Sequence, residues 1–118
     1  MAKKDWMIAC LDEIVEAGER VREALADVDA LLAVATRERR AGGTPVEVTE
    51  GLIDRGSRRV RSTAAASFDD FEHAVMTFRQ VAVRTLIEKH GWTVSQVARR
   101  TGVSRQRTSA LYQAAKRI

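Results

Sequence analysis

Residues 3–41 constrain the fold more than any other part of the sequence, because they contain no proline and a single glycine, Gly18. Their larger apolar residues recur in alternating steps of four and three, with Gly18 filling one step: Met7, Leu11, Ile14, Val21, Leu25, Val28, Leu32. This is the 3.5-residue repeat of a coiled-coil seam. A helix of this length spans roughly 55–60 Å, too long to be buried inside one small domain. It must therefore pair with another helix.

The partner of this helix is open at the level of sequence. We assign the apolar stripe, called here the predicted seam, to homodimerisation, and keep as the alternative an antiparallel hairpin against residues 46–66 or 68–90. The opposite face is acidic, with exposed positions expected at Asp12, Glu13, Glu16, Glu19, Glu23 and Asp27. That face is either a solvated surface or a docking face for a protein partner.

The middle of the chain is read as a hinge followed by a basic linker. Gly42 and Gly43 end the first helix, and Pro45 prevents its continuation. Four arginines follow: Arg55, Arg58, Arg59 and Arg61. Ser67 is predicted to cap the next helix, which Gly91 ends. The predicted organisation is a long assembly helix at 1–41, a hinge and linker at 42–66, and a third segment at 67–118.

The last segment has clear helix-boundary signals. Thr93 and Gln96 form a capping box for a short helix over about 94–100, with Trp92 and Val97 as a hydrophobic staple. Gly102 suits a left-handed turn, and Ser104 caps a second helix to about Arg117. Residues 92–118 contain six Lys or Arg and no Asp or Glu. Charge asymmetry of this kind points to a polyanionic partner.

A helix, a three-residue turn containing glycine and a second helix form a helix-turn-helix. Residues 94–113 resemble the helix-turn-helix of bacterial transcriptional regulators and site-specific recombinases. The small residue of that pattern falls at Ala98, its turn glycine at Gly102, and its apolar positions at Val97, Val103 and Leu111. Thr108 departs from the pattern, which usually has a branched apolar residue there, and its hydroxyl needs a partner if it is buried.

The helical patterns along the chain predict an all-α protein, in which a C-terminal helical bundle containing the helix-turn-helix follows a coiled-coil-like N-terminal helix. The resemblance implies sequence-specific binding of double-stranded DNA, with the helix after Ser104 in the major groove. The expected base contacts face away from the core: Ser104, Arg105, Gln106, Ser109 and Gln113. The expected phosphate contacts are the neighbouring cations: Arg99, Arg100, Arg107, Lys116 and Arg117. We expect a homodimeric transcriptional regulator of a bacterium or phage.

Two other functions fit the same residues. A DNA-organising or partition-type protein would use the motif with little sequence preference, and a coiled-coil adaptor would bind a protein partner through the acidic helix. No catalytic, metal-binding or cofactor motif is recognisable, so we expect no enzyme activity, metal or cofactor. His73 and His90 lack partners at ligand spacing. The single cysteine, Cys10, and the lack of a long apolar run favour a cytoplasmic, nucleoid-associated protein over a membrane protein.

Overall fold

The structure, a computed structural model, describes residues 5–117. Within that range it is all-helical, as predicted. The five helices are α1 (Trp6–Arg40), α2 (Pro45–Asp54), α3 (Ser57–Glu88), α4 (Val94–Thr101) and α5 (Arg105–Ala115). The chain divides into two compact units. The hairpin unit is Ile14–Glu72, and the terminal unit combines Met1–Glu13 with His73–Ile118.

The long first helix is bounded by the expected kind of residues. The Asp5 carboxylate accepts hydrogen bonds from the backbone N–H groups of Met7 at 2.8 Å and Ile8 at 3.1 Å, and so caps the start of α1. At the other end Gly42 has a φ of 102°, a conformation that strains residues with a side chain. The Gly43 N–H then donates to the Glu38 carbonyl at 2.9 Å. Local interactions therefore fix both ends of α1.

Residues 42–66 are more helical than a hinge and linker. Pro45 stops α1 from continuing, but it also occupies the first turn of α2, where its missing N–H has no cost. Thr44 and Glu47 form a capping box, with N–H to oxygen distances of 3.1 and 3.2 Å. The hydrogen bond from the Thr44 N–H is the largest cause that lowers the pKa of the Glu47 carboxyl. The segment therefore holds a second capped helix, α2, and the first turns of α3.

In the hairpin unit, α1 folds back against α3. An added Cβ at Gly18 would lie 3.7 Å from the Phe71 ring, so the two helices are in close contact there. Towards the other end of α1, Glu38 forms an ion pair with Arg55. Position 18 of α1 thus lies near position 71, and position 38 lies near position 55, just before α3. Because the position numbers rise on one side and fall on the other, the packing is antiparallel. The buried residues of the unit are small: Ala17, Ala24, Ala35, Ala64 and Ser67. The intramolecular hairpin is therefore present, whatever else α1 binds.

The predicted seam lies only partly on the buried face of α1. Of its members, Ile14, Val21 and Val28 are half-buried. Its larger residues remain exposed: Met7, Leu11, Leu25 and Leu32. The six acidic positions of the opposite face are all exposed as well. The alanines that flank the seam are buried, and the contact of α1 with α3 falls beside them, at Gly18 and Phe71. Small residues on α1 let two helices approach closely. Homodimerisation through the seam stays a prediction.

The predicted boundary at Ser67 is wrong, because α3 runs through it without interruption. The Ser67 side chain is buried, and its hydroxyl donates back to the Thr63 carbonyl at 2.9 Å. Serine in a helix interior commonly makes this bond to the preceding turn, so the residue type alone does not mark a cap. The four arginines of the supposed linker consequently lie around the break between α2 and α3 and on the first turns of α3.

We expect Ser67→Ala to change the free energy of unfolding by less than about 0.5 kcal/mol, because alanine favours the helix interior and the Thr63 carbonyl keeps its backbone partner. Ser104→Ala is the matched control. The Ser104 hydroxyl accepts from the Arg107 N–H at 3.1 Å, so its loss is expected to cost about 1 kcal/mol. Urea unfolding followed by circular dichroism measures both. A loss at Ser67 as large as at Ser104 would contradict the continuous helix.

The terminal unit has a core of larger side chains. Val83 of α3, Val97 of α4 and Leu111 of α5 are buried together. Five partly buried residues pack around them: Met76, Leu86, Ile87, Trp92 and Tyr112. In the same unit the rings of Trp6 and Phe78 lie 6.4 Å apart between centroids. This core fixes α4 and α5 on the last turns of α3. Among the described helices, none has a stretch apolar and long enough to cross a membrane.

Candidate nucleic-acid interface

The first helix of the candidate site is capped as its sequence predicts. The Thr93 N–H donates to the Gln96 side chain at 2.8 Å, and the Gln96 N–H donates to the Thr93 hydroxyl at 3.1 Å. Trp92, just before the cap, packs on the cluster that contains Val97, which is the expected staple. The cap and the staple together set where α4 begins and how the chain enters it.

The turn between α4 and α5 depends on glycine. Gly102 has a φ of 75°, in the left-handed region, and its N–H donates to the Ala98 carbonyl at 3.0 Å. Ala98 is buried, and α4 and α5 pack directly on each other. A residue with a side chain would be strained at position 102. The turn therefore sets the angle between the two helices.

Thr108 occupies the interior of this helix pair without an unpaired hydroxyl. Only 1% of its surface is exposed, and its Oγ1 donates to the Ser104 carbonyl at 2.9 Å. Threonine has nearly the shape of valine, so it fills the branched apolar position while its hydroxyl is satisfied within its own helix. Leu111 and Ala115 are buried on the same face of α5. The core-facing side of α5 therefore consists of Thr108, Leu111 and Ala115.

The opposite side of α5 carries the predicted base contacts. Ser104, Arg105, Gln106 and Gln113 are exposed, and Ser109 is half-buried. Three of these residues line one open depression of about 540 Å³: Arg105, Gln106 and Ser109. Ser104 and Gln113 are not among its lining residues. The structure therefore brings together the two side chains best suited to base recognition.

Val94 also lines this depression, and sequence reasoning did not select it. It is the first residue of α4, so the N-terminal ends of both α4 and α5 border the same hollow. Helix N-termini carry unsatisfied N–H groups and partial positive charge, which favour anionic ligands. The capping box at Thr93 indicated where α4 starts, but only the packing of the two helices shows that Val94 lies beside Arg105.

A second depression, of about 290 Å³, is lined by Trp92, Gln96, Arg99 and Arg100. The Arg100 guanidinium lies 5.8 Å from the centroid of the Trp92 ring, within the range of a cation–π interaction. Gln96 is already used in the cap. Two predicted phosphate contacts thus share one surface with an aromatic ring that orients one of them.

The arginines of α4 and α5 form no ion pair with any residue in the range 5–117. Arg99, Arg100, Arg105 and Arg107 are exposed. Lys116 and Arg117 are exposed as well, with the Lys116 ammonium 4.4 Å from the centroid of the Tyr112 ring. Residues 92–118 contain no acidic residue. This part of the surface therefore carries uncompensated positive charge.

The C-terminal end of α5 is tied to α3 by a small polar network. The Tyr112 hydroxyl donates to Glu88 Oε1 at 3.1 Å, while Arg84 Nε donates to Glu88 Oε2 at 3.0 Å. Arg84 also donates to the Ala115 carbonyl at 3.2 Å. The bond from Arg84, followed by the bond from Tyr112, lowers the pKa of the Glu88 carboxyl. Glu88 thus links α3 to α5 in its charged form.

This network predicts a pH dependence. Because folding lowers the pKa of Glu88, its contribution to stability is present above the ordinary value of 4.5 and is lost as the pH falls through the lower folded value. We expect wild type to be more stable than Glu88→Gln at pH 7 and the difference to vanish under acid conditions. Urea unfolding of both proteins from pH 3 to pH 7 measures this. A difference independent of pH would contradict the role of the charge.

A comparison of the chain with protein-family models, curated proteins and solved structures finds no match. The assignment of the candidate site therefore depends on its geometry alone. That geometry is a capped helix, a glycine turn and a second capped helix, with arginine and glutamine side chains around an open basic depression.

Proposed function

We propose that this chain binds double-stranded DNA in a sequence-specific manner, with α5 in the major groove. It acts as a homodimeric transcriptional regulator of a bacterium or a phage, in the bacterial cytoplasm. One observation carries the proposal. Helix α5 buries Thr108, Leu111 and Ala115, and the opposite side presents Arg105 and Gln106 to an open depression. A segment that bound polyanions by charge alone would need neither this buried face nor the two caps.

The side chains suit distinct tasks on DNA. Arginine pairs bidentately with guanine, and glutamine pairs in the same way with adenine, so Arg105 and Gln106 are the proposed readers of bases. Ser104, Ser109 and Gln113 extend the same face. The cations Arg99, Arg100, Arg107, Lys116 and Arg117, together with the N-terminus of α4, suit phosphates, which fix the position of the protein without reading sequence.

Self-association supports this function, because one small reading helix covers only a few base pairs. A dimer doubles the half-sites and raises both affinity and specificity. We propose that α1 provides the contact. Its exposed residues include Leu25 at 40% and Leu32 at 52% exposure, large aliphatic side chains that the hairpin leaves in solvent.

Selection of bound fragments from sheared bacterial genomic DNA, at near-physiological salt, tests the proposal. The Arg105→Ala/Gln106→Ala variant is selected in parallel, since both side chains are exposed and their loss should leave the fold intact. We expect wild type to enrich a recurrent two-fold symmetric site, and the variant to lose it.

Other outcomes point to different functions. Enrichment without a motif, strongly salt-dependent and unchanged in the variant, would indicate a DNA-organising protein. No binding of DNA at all would overturn the proposal and favour an adaptor that uses the acidic face of α1.

A further inference from the structure

The hairpin unit leaves one stripe of α1 without a partner. Its apolar members are Val15, Leu25 and Leu32, with exposures of 56%, 40% and 52%. At about 100° per residue Leu25 and Leu32 lie close together beside the row of buried alanines, and Val15 lies roughly 80–100° further around the helix, away from that row. The spacing of 15, 18, 22, 25, 29 and 32 alternates three and four, the pattern of a helix that packs along its length on another helix. The stripe therefore has the form of an interface.

Two charged residues interrupt the stripe. Arg22 and Asp29 are exposed on either side of Leu25. Neither forms an ion pair or a side-chain hydrogen bond with another residue in the range 5–117. Seven residues separate them, roughly 10 Å along the axis, so they cannot pair within one helix. The stripe thus presents one unpaired positive and one unpaired negative charge.

From this arrangement we infer that a second copy of the chain covers the stripe, with the two α1 helices antiparallel. This inference rests on the self-association proposed above and specifies its geometry. With a two-fold axis near Leu25, Asp29 of the partner subunit lies within one helical turn of Arg22, and symmetry forms the pair twice.

The parallel arrangement is disfavoured by the same charges. In a parallel dimer in register, Arg22 would face Arg22 of the partner subunit, and Asp29 would face Asp29 of the partner subunit. Like charges at facing interface positions oppose association. The antiparallel dimer replaces two repulsive contacts with two attractive ones and encloses the same aliphatic residues. Charge complementarity therefore favours a second copy of α1 on the stripe, in the antiparallel orientation.

Charge reversal tests the inference on the full chain without DNA. Arg22→Asp and Asp29→Arg each create a like-charged pair across the antiparallel interface, and the double variant restores an attractive pair with reversed signs. We expect each single substitution to raise the dimer dissociation constant about tenfold or more, and the double variant to return to within about threefold of wild type. Sedimentation equilibrium measures the constants, and circular dichroism confirms equal helicity.

The chain offers a matched control. Arg20 and Asp27 are also exposed, seven residues apart and on α1, but they lie outside the stripe. Arg20→Asp and Asp27→Arg change the net charge by the same amounts as the test variants and are expected to leave the dissociation constant unchanged.

Three outcomes would overturn the inference. A wild-type chain that stays monomeric at high micromolar concentration would show that no second copy covers the stripe. A dimer that the double variant fails to restore would exclude the antiparallel pairing, and an equal effect of the control pair would show that only net charge matters. These outcomes are distinguishable from a failure of the proposed function, because the DNA selection experiment is separate. A monomer that still selects a defined site would leave the proposed DNA binding intact.

Discussion

Replacing Arg105 with alanine is expected to weaken binding to the selected DNA site by about fivefold to 150-fold, equivalent to about 1–3 kcal/mol, and to relax the base preference at one position. The side chain is exposed in the first turn of α5, lines the open depression and forms no ion pair within residues 5–117. It is therefore free to form two parallel hydrogen bonds with one guanine. Lysine at this position keeps the charge but not the bidentate geometry, so Arg105→Lys should also lose the preference.

The neighbouring arginine provides the comparison. Arg107 is exposed and assigned to phosphate, so Arg107→Ala should weaken binding about equally on all sequences and reduce the salt dependence by about one counterion. Fluorescence anisotropy with a set of single-base variants of the site, at several salt concentrations, separates these effects. If Arg105→Ala lost affinity equally on every sequence, Arg105 would be a phosphate contact and the proposed reading role would be wrong.

Introducing aspartate at Val97 is expected to destabilise the terminal unit by about 4 kcal/mol or more and to lower its melting temperature by about 15 °C or more. Val97 is 1% exposed, at the centre of the cluster with Val83 and Leu111. A carboxylate there has to be buried without a partner or force the helices apart. Since α4 and α5 depend on this core, DNA binding should be lost with the fold.

The same substitution on an exposed valine is the control. Val46 is 66% exposed in the first turn of α2, where the helix dipole tolerates a negative charge. Val46→Asp should therefore change stability by no more than about 0.5 kcal/mol. Both tryptophans of the chain, Trp6 and Trp92, belong to the terminal unit, so tryptophan fluorescence reports its unfolding. If Val97→Asp melted like wild type, the assigned core would be wrong.

The candidate site was largely predictable because short-range interactions determine it. A capping box joins residues three positions apart, and a left-handed turn needs a glycine at one position, so Thr93, Gln96, Gly102 and Ser104 carry their roles in the sequence itself. The helical repeat then determines which residues of α5 face inward. What the repeat does not determine is which neighbours meet on the outside, and Val94 was missed for that reason.

The same residue types were misleading where more than one local interaction was available. Ser67 can cap a helix or bond back to the preceding turn within one, and Pro45 both ends one helix and begins another. Propensity alone does not separate these cases. Burial of Ser67 in the hairpin unit favours the continuous helix, and burial is a property of the folded unit.

The helical nature of the chain, the length of α1 and the starts of α4 and α5 follow from the amino-acid order, because hydrogen bonds between residues close in the chain decide these features. Which side of α1 is covered depends instead on tertiary packing. Both the leucine row and the alanine row follow the same 3.5-residue repeat, so periodicity does not distinguish them. In the folded hairpin unit the row with Ala17 and Ala24 is buried, since small side chains allow helices to approach closely, and Leu25 and Leu32 remain exposed.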